Sequence, residues 1–368
     1  MKKLFKVVAL SAALAMGMST LAACGGDKGG NKGNGNAGTI SGDYKPVDVT
    51  DTAQIEKIET EVAKINMNTI VGDMTAANWM FGVDGSIVLD VLVQEDDEYL
   101  KANGTVNIGA SVKAVEETPV IGAKVNATAN VKITEKFAQA MDIPCALDVN
   151  ATTEAWADMS YIYANATVKG VPQELVGSGE STTQSIKMKF NTMDIIGDVM
   201  GGVEGMNGEA SEEGSAMDIA TIIAMAEQYG VDVSVDVSNG LKVKVATTNE
   251  TLDKILPLLS SVEGGEMISQ IITKDNVKTF KVEIYVAFDK NGGFEALAAN
   301  VDFKLQYTGQ STFDETKTSN NVASISLKVN LKKSTSEIKV PETVANDADY
   351  QEFGNSSEEG DLGGVEAA

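Results

Sequence analysis

The chain has 368 residues, with 29 Lys and Arg against 53 Asp and Glu, two cysteines and no histidine, giving a formal net charge of -24. Such an excess repels the phosphates of nucleic acids and anionic lipid headgroups, which argues against a polynucleotide-binding groove. Without histidine the chain lacks the usual general base, the commonest zinc ligand and every Ser-His or Cys-His pair, so no catalytic residue, metal or cofactor is expected.

Chain order begins with Met1-Lys2-Lys3-Leu4-Phe5-Lys6 and an apolar run from Val7 to Met18. A basic start and a short apolar stretch read as an export signal, too short for a membrane span of roughly 20 apolar residues. The segment ends Leu21-Ala22-Ala23-Cys24, which resembles the bacterial lipobox. That resemblance implies removal of residues 1–23, a covalent lipid on Cys24 and a place outside the cytoplasm, anchored to the bacterial cell membrane. Two acyl chains hold a protein at a membrane stably where one does not. Gly25 to Tyr44 shows no apolar periodicity, so residues 24–45 read as a Gly-rich tether with an r.m.s. reach of ~25 Å. Cys145 is then the lone thiol, in "DIPCALDV" with apolar neighbours, and reads as a small buried hydrophobe.

A body spanning 46–353 follows. Thr52 to Ile65 carries Ile55, Ile58, Val62 and Ile65 at helical spacing, with Asp51 or Thr52 as cap. "QEDDEY" reads as a solvated turn. Period-two alternation then dominates: Val106, Ile108, Ala110 and Val112; Val125 to Ile133; Ile186, Met188 and Phe190. Asn-Ala-Thr at Asn126, Asn150 and Asn165 would accept glycans in a eukaryotic exported protein; here it reads as the solvated side of strands, although Asn is not favoured there. Apolar helices are expected at Met193 to Met206, Met217 to Gly230 and Asn249 to Val262. Between the last two, Val231, Val233, Val235 and Val237 alternate up to Asn239-Gly240, a pair suited to a tight hairpin, and Leu241, Val243 and Val245 resume. Further alternation begins at Val282, Val301 and Ile325. "DKNGGFE" echoes a calcium loop, but the sixth and twelfth positions are Phe294 and Asn300, not Gly and Glu, so a hairpin turn is the reading. Residues 354–368, acidic and without a base, read as a disordered tail.

The expected fold is α+β and mostly β: one large curved antiparallel sheet, a half-barrel meander, packed on a few apolar helices. The leash, the early helix, the meander, the mid-chain helices and the ending "SEIKVPETVANDADYQEF" together resemble the half-barrel lipoproteins, the Lol-type carriers and the LppX/LprG-type lipid-binding lipoproteins. The resemblance implies a curved sheet that wraps helices and leaves an apolar cavity for acyl chains. Adaptable methionines among isoleucines make Ile195, Ile196, Met200, Met217, Ile222 and Met225 the candidate cavity residues, with ordinary helix-to-sheet core as the other reading. The function expected is non-catalytic binding or carriage of a lipid or other amphipathic ligand by a membrane-anchored protein. A structural or protein-interaction envelope module with a filled interior is the alternative. A carboxylate-dependent hydrolase, with two carboxyl groups roughly 5 to 10 Å apart, ranks third.

Overall fold

A computed structural model describes residues 38–353 apart from 74–75, 77–78, 116–117, 178, 193–218 and 260–270. Residues 1–23, expected as a signal, Cys24 and the acidic residues 354–368 lie outside the described residues, as does the helix expected at Met193 to Met206. Of the described residues 53% are strand and 18% helix, in one open, curved sheet of 13 strands with seven helices.

The sheet is two meanders laid side by side. The first runs through β2 (Met80–Glu95), β3 (Glu98–Val115), β4 (Thr118–Ile133), β5 (Leu147–Ala157), β6 (Tyr161–Lys169) and β7 (Thr183–Asn191). The second runs through β8 (Val231–Asp236), β9 (Leu241–Thr247), β10 (Val277–Phe288), β11 (Phe294–Gln310) and β12 (Thr318–Ser334). Its last strand pairs with the first strand of the other meander, β12 against β2, so both fuse into one sheet. Two short pieces complete the rims: β1 (Lys45–Pro46) beside β8, and β13 (Gln351–Phe353) beside β7. Every pair is antiparallel except β7 with β13, which is parallel and makes the sheet mixed. An open sheet must protect its edges, and these two pieces do so, one carrying a proline and the other a glutamate.

Alternation gives the sheet one apolar and one polar face. Val106 and Ile108 of β3, Ala127 to Ile133 at every second residue of β4, and Leu147 and Val149 of β5 are buried on the apolar face. Helices with apolar contacts pack there. α1 (Thr52–Val62) and α5 (Ile219–Gln228) bring Ile58 and Ile223 onto Val235 and Leu241. At the other end, α3 (Glu135–Ala140) and α4 (Gln173–Val176) bring Ala138, Leu175 and Val176 onto the β3–β6 core. The helix expected over 52–65 stops at Val62, because Asn66 starts the short α2 (Met67–Val71) with a reciprocal cap. Asn66 Oδ1 accepts from the Thr69 N–H at 3.1 Å, and Thr69 Oγ1 accepts from the Asn66 N–H at 2.9 Å. α6 (Asn249–Leu259) and α7 (Glu342–Ala345) complete the set.

Turn chemistry follows the residues. Asp96, in the β2–β3 turn, holds φ 51°, which aspartate tolerates. The β8–β9 hairpin is wider than the two-residue turn expected at Asn239-Gly240, since Asp236 pairs with Lys242. The cause is Asp236, whose Oδ1 accepts from the Ser238 N–H at 3.0 Å and from its hydroxyl at 2.6 Å. Gly240 then takes the left-handed conformation at φ 86°, as in a three-residue loop. At "DKNGG" the carboxylate Oδ1 of Asp289 accepts from Asn291 N–H at 2.8 Å and Gly293 N–H at 3.0 Å, closing a hairpin turn.

The polar face is crossed by both flanking segments. Gly38 N–H donates to Asn330 Oδ1 of β12 at 2.9 Å, and Lys242 Nζ donates to the Ser41 carbonyl at 2.9 Å. Residues 38–46 thus run outward from mid-sheet to the β8 rim, although the sequence reads them as the end of the tether. From Ser334 the chain runs the opposite way. Ile338 N–H donates to Ser111 Oγ of β3 at 2.8 Å, Lys187 of β7 pairs with Asp347 at 2.6 Å, and β13 finishes at the rim.

Candidate functional site

Between the two helix groups the described residues cover the apolar face only in part. Ile284 of β10, Ile325 of β12 and Val93 of β2 are exposed there. The registers put Phe303, Ile325, Val91, Ala102 and Val131 in one row across β11, β12, β2, β3 and β4. The adjacent row reads Val301, Leu327, Leu89, Gly104 and Ala129. Small side chains at Ala102, Gly104 and Ala129 therefore lie between taller ones, and they make the floor of a trough. Leu89, Val91 and Leu100 wall one side; Val131, Ile133 and Met141 wall the other. Its volume is about 200 Å³, and Asn103 is the one polar residue among its lining. Among the described residues no titratable side chain lines it, so these residues offer dispersion and desolvation rather than an acid or base.

The candidate residues fall elsewhere. Ile195, Ile196, Met200 and Met217 lie outside the described residues, as does Cys24. Ile222 and Met225 are on α5, 50% and 47% exposed, while their neighbour Ile223 is 3% exposed and faces the core. Neither lines the trough. Its residues were missed in the sequence because Ala102 and Gly104 read as weak strand positions; only the register shows them flanked by Leu89 and Val131. Cys145 packs half-buried against the β3–β6 core, and burial, aided by Glu174, pushes its thiol up.

Ionisable groups gather on the other face, beneath residues 38–46. Glu283 is ion-paired to Lys281 at 3.0 Å and Lys244 at 3.2 Å, and Asp236 to Lys242 at 3.7 Å. The Tyr44 ring meets Tyr285 edge-on at 5.7 Å, and burial pushes the Tyr44 phenol up to about 12, with Tyr285 and Asp236 adding to the shift. Each carboxylate already has a cation, so the cluster acts as a clamp holding the segment to the sheet. Among the described residues no group of three potential metal ligands comes together, and no helix is long and apolar enough to cross a membrane. No protein-family model matches the chain, and no curated protein resembles it significantly.

Proposed function

We propose that the protein is a lipid-anchored extracytoplasmic binding protein that shelters part of a hydrocarbon chain of an amphipathic molecule and does no chemistry on it. The observation that supports this is the trough: an apolar concavity with a floor of small residues and no titratable lining among the described residues. The lipobox-like Leu21-Ala22-Ala23-Cys24 supports the anchor. At about 0.8 kcal/mol per buried methylene, six methylenes contribute ~5 kcal/mol, enough for reversible binding. The volume, about 200 Å³, is below the ~300–1,000 Å³ of pockets that enclose a whole drug-sized ligand. A chain therefore enters in part and continues along the exposed Ile325 and Val93. The same small volume favours a second reading, in which a partner protein's apolar side chains fill the trough.

Titration of the full chain with a fluorescent fatty acid distinguishes the two readings. The proposal expects saturable binding that Ala102→Phe abolishes while the circular dichroism spectrum is retained, because the new ring fills the floor. No saturable binding by the unaltered chain, with no lipid adduct in native mass spectrometry of protein from its host membrane, would refute it. The anchor is tested separately: Cys24→Ala should release the protein from the membrane fraction.

A further inference from the structure

Four neighbouring strands repeat one pattern on the polar face: Asn103-Gly-Thr105 in β3, Asn126-Ala-Thr128 in β4, Asn150-Ala-Thr152 in β5 and Asn165-Ala-Thr167 in β6. Antiparallel pairing brings the threonines into register. Thr105, Thr128, Thr152 and Thr167 form a single row that ends at Ser185 of β7. One row to the side, Asn103, Asn130 and Asn150 stand opposite one another; on the other side Asn107, Asn126, Glu154 and Asn165 do so. The result is a grid of hydroxyl and carboxamide groups, ~4.8 Å apart across strands and ~7 Å along them.

Solvation alone is a poor account of this grid. Asparagine is depleted in strands, and a face that only needs water is served as well by charged residues. The same face does use charges on the other meander, where Lys281, Asp302, Lys304 and Lys328 stand on it. Among the described strands the Asn-x-Thr repeat, by contrast, occurs only in β3–β6. The repeat also coincides with a concavity of about 410 Å³ lined by Asn103, Thr105, Thr128, Asn130, Asn150 and Thr152, with Val88 and the carboxylate Asp90 of β2 at its side. Two contacts pre-orient its edges: Asn130 Nδ2 donates to Asn150 Oδ1 at 3.0 Å, and the Thr167 and Ser185 hydroxyls are 2.9 Å apart. Among the described residues Thr105, Thr128 and Thr152 make no side-chain hydrogen bond inside the protein, so their donors and acceptors face outward.

We propose that this grid is a binding platform for a neutral glycan built from N-acetylated hexosamines, laid across the strands along the threonine row. Hydroxyls of the sugar rings match the threonines, and acetamido groups match the flanking carboxamides, each able to donate and accept. Charges of both signs surround the platform: Asp90 lines the concavity, Lys101 and Lys169 flank the asparagine row, Lys132 pairs with Asp148 at 2.7 Å and Lys124 with Glu154 at 2.9 Å, so no single-sign patch selects phosphate or carboxylate chains. The row from Thr105 to Ser185 spans four strand intervals, ~19 Å, the length of a short oligosaccharide.

Titration calorimetry of the full chain with chitohexaose, with cellohexaose as the comparison lacking acetamido groups, tests the platform. Chitohexaose should bind at least ~10-fold more tightly than cellohexaose. Thr128→Val with Thr152→Val, which keeps β-branched shape and strand preference, should weaken chitohexaose binding at least ~10-fold with the urea midpoint unchanged. The Thr308→Val variant, on the distant β11, should bind as the unaltered chain does, and Ala102→Phe should leave glycan binding intact, since its ring fills the opposite face. No binding of chitohexaose at millimolar concentration, equal binding of both sugars, or unchanged affinity in the double threonine variant would each overturn the proposal.

Discussion

Replacing Gly122 by alanine places a Cβ 2.0 Å from the Ile338 carbonyl oxygen, closer than real Cβ contacts come. Because the obstacle is backbone, the crossing segment must retreat by about 1 Å before a 3.0 Å contact is reached. Retreat breaks the hydrogen bond from Ile338 N–H to Ser111 Oγ, 2.8 Å long, which is worth about 0.5–1.5 kcal/mol. It also uncovers Ile338, now 5% exposed, whose full burial contributes about 1.5–3 kcal/mol. Gly122→Ala should therefore destabilise the fold by about 2–4 kcal/mol, and Ile338→Ala by a similar amount. Both substitutions undo the same docking, so the double variant should cost little more than either single one. Urea unfolding of the four proteins gives a coupling energy, expected to exceed about 1 kcal/mol. If the two losses instead add to within ~0.5 kcal/mol, the crossing segment is not held at Gly122 and the reasoning fails.

Acid should weaken the fold before anything else does. For Glu95 burial raises the carboxyl pKa, but hydrogen bonds from Ser311 and Thr312 outweigh it and hold the group below its usual range; Ser238 and then Asp43 do the same for Asp236. Folded-state values below unfolded ones mean that the stabilisation is complete above the unfolded values near pH 4 and is lost as pH falls through the folded ones. The urea midpoint should be flat from about pH 8 to 5, since the chain has no histidine, then fall below about pH 4, less steeply in Glu95→Gln. A midpoint that changes between pH 6 and 8 would contradict this. Lys124, its side chain 3% exposed, has its Nζ 3.6 Å from the Trp156 ring centroid and 2.9 Å from Glu154, so Glu154→Gln should cost about 1–3 kcal/mol. Asp148→Asn, at the exposed pair with Lys132, should cost under ~1 kcal/mol; equal losses from thermal unfolding would refute the distinction. Deleting residues 348–368 removes β13 and bares the β7 rim, so light scattering should detect concentration-dependent association that the full chain lacks.

The mostly-β architecture was legible because the alternation is strong where large side chains carry it, as at Val106 and Ile108 or at Val243 and Val245. It was weak in β5 and β6, whose inward residues include Ala151, Ala155, Ala164 and Ala166, too small to stand out from their polar neighbours. β2 was hidden for another reason: Ile87, Val88 and Leu89 are consecutive, and only pairing shows that Val88 faces away from the core. The fusion of the two meanders through β12 and β2 joins residues more than 200 positions apart, which no local period encodes. Neither concavity was legible for the same reason. Asn-Ala-Thr was visible three times in the sequence, but its assembly into rows depends on the register, as does the small-residue floor of the trough.

The crossing segments also decide how the molecule responds to a pull. Residue 38 meets the sheet at its middle, and the chain then travels toward a rim where Lys45, Pro46 and the Val47 N–H meet β8. Traction on that end is borne first by a few isolated bonds, each met in turn, as in opening a zip. About ten residues of slack, up to ~35 Å when drawn out, are released before any long strand is loaded. A protein suspended by this end would thus yield at its own suspension, with the long strands of the sheet left intact.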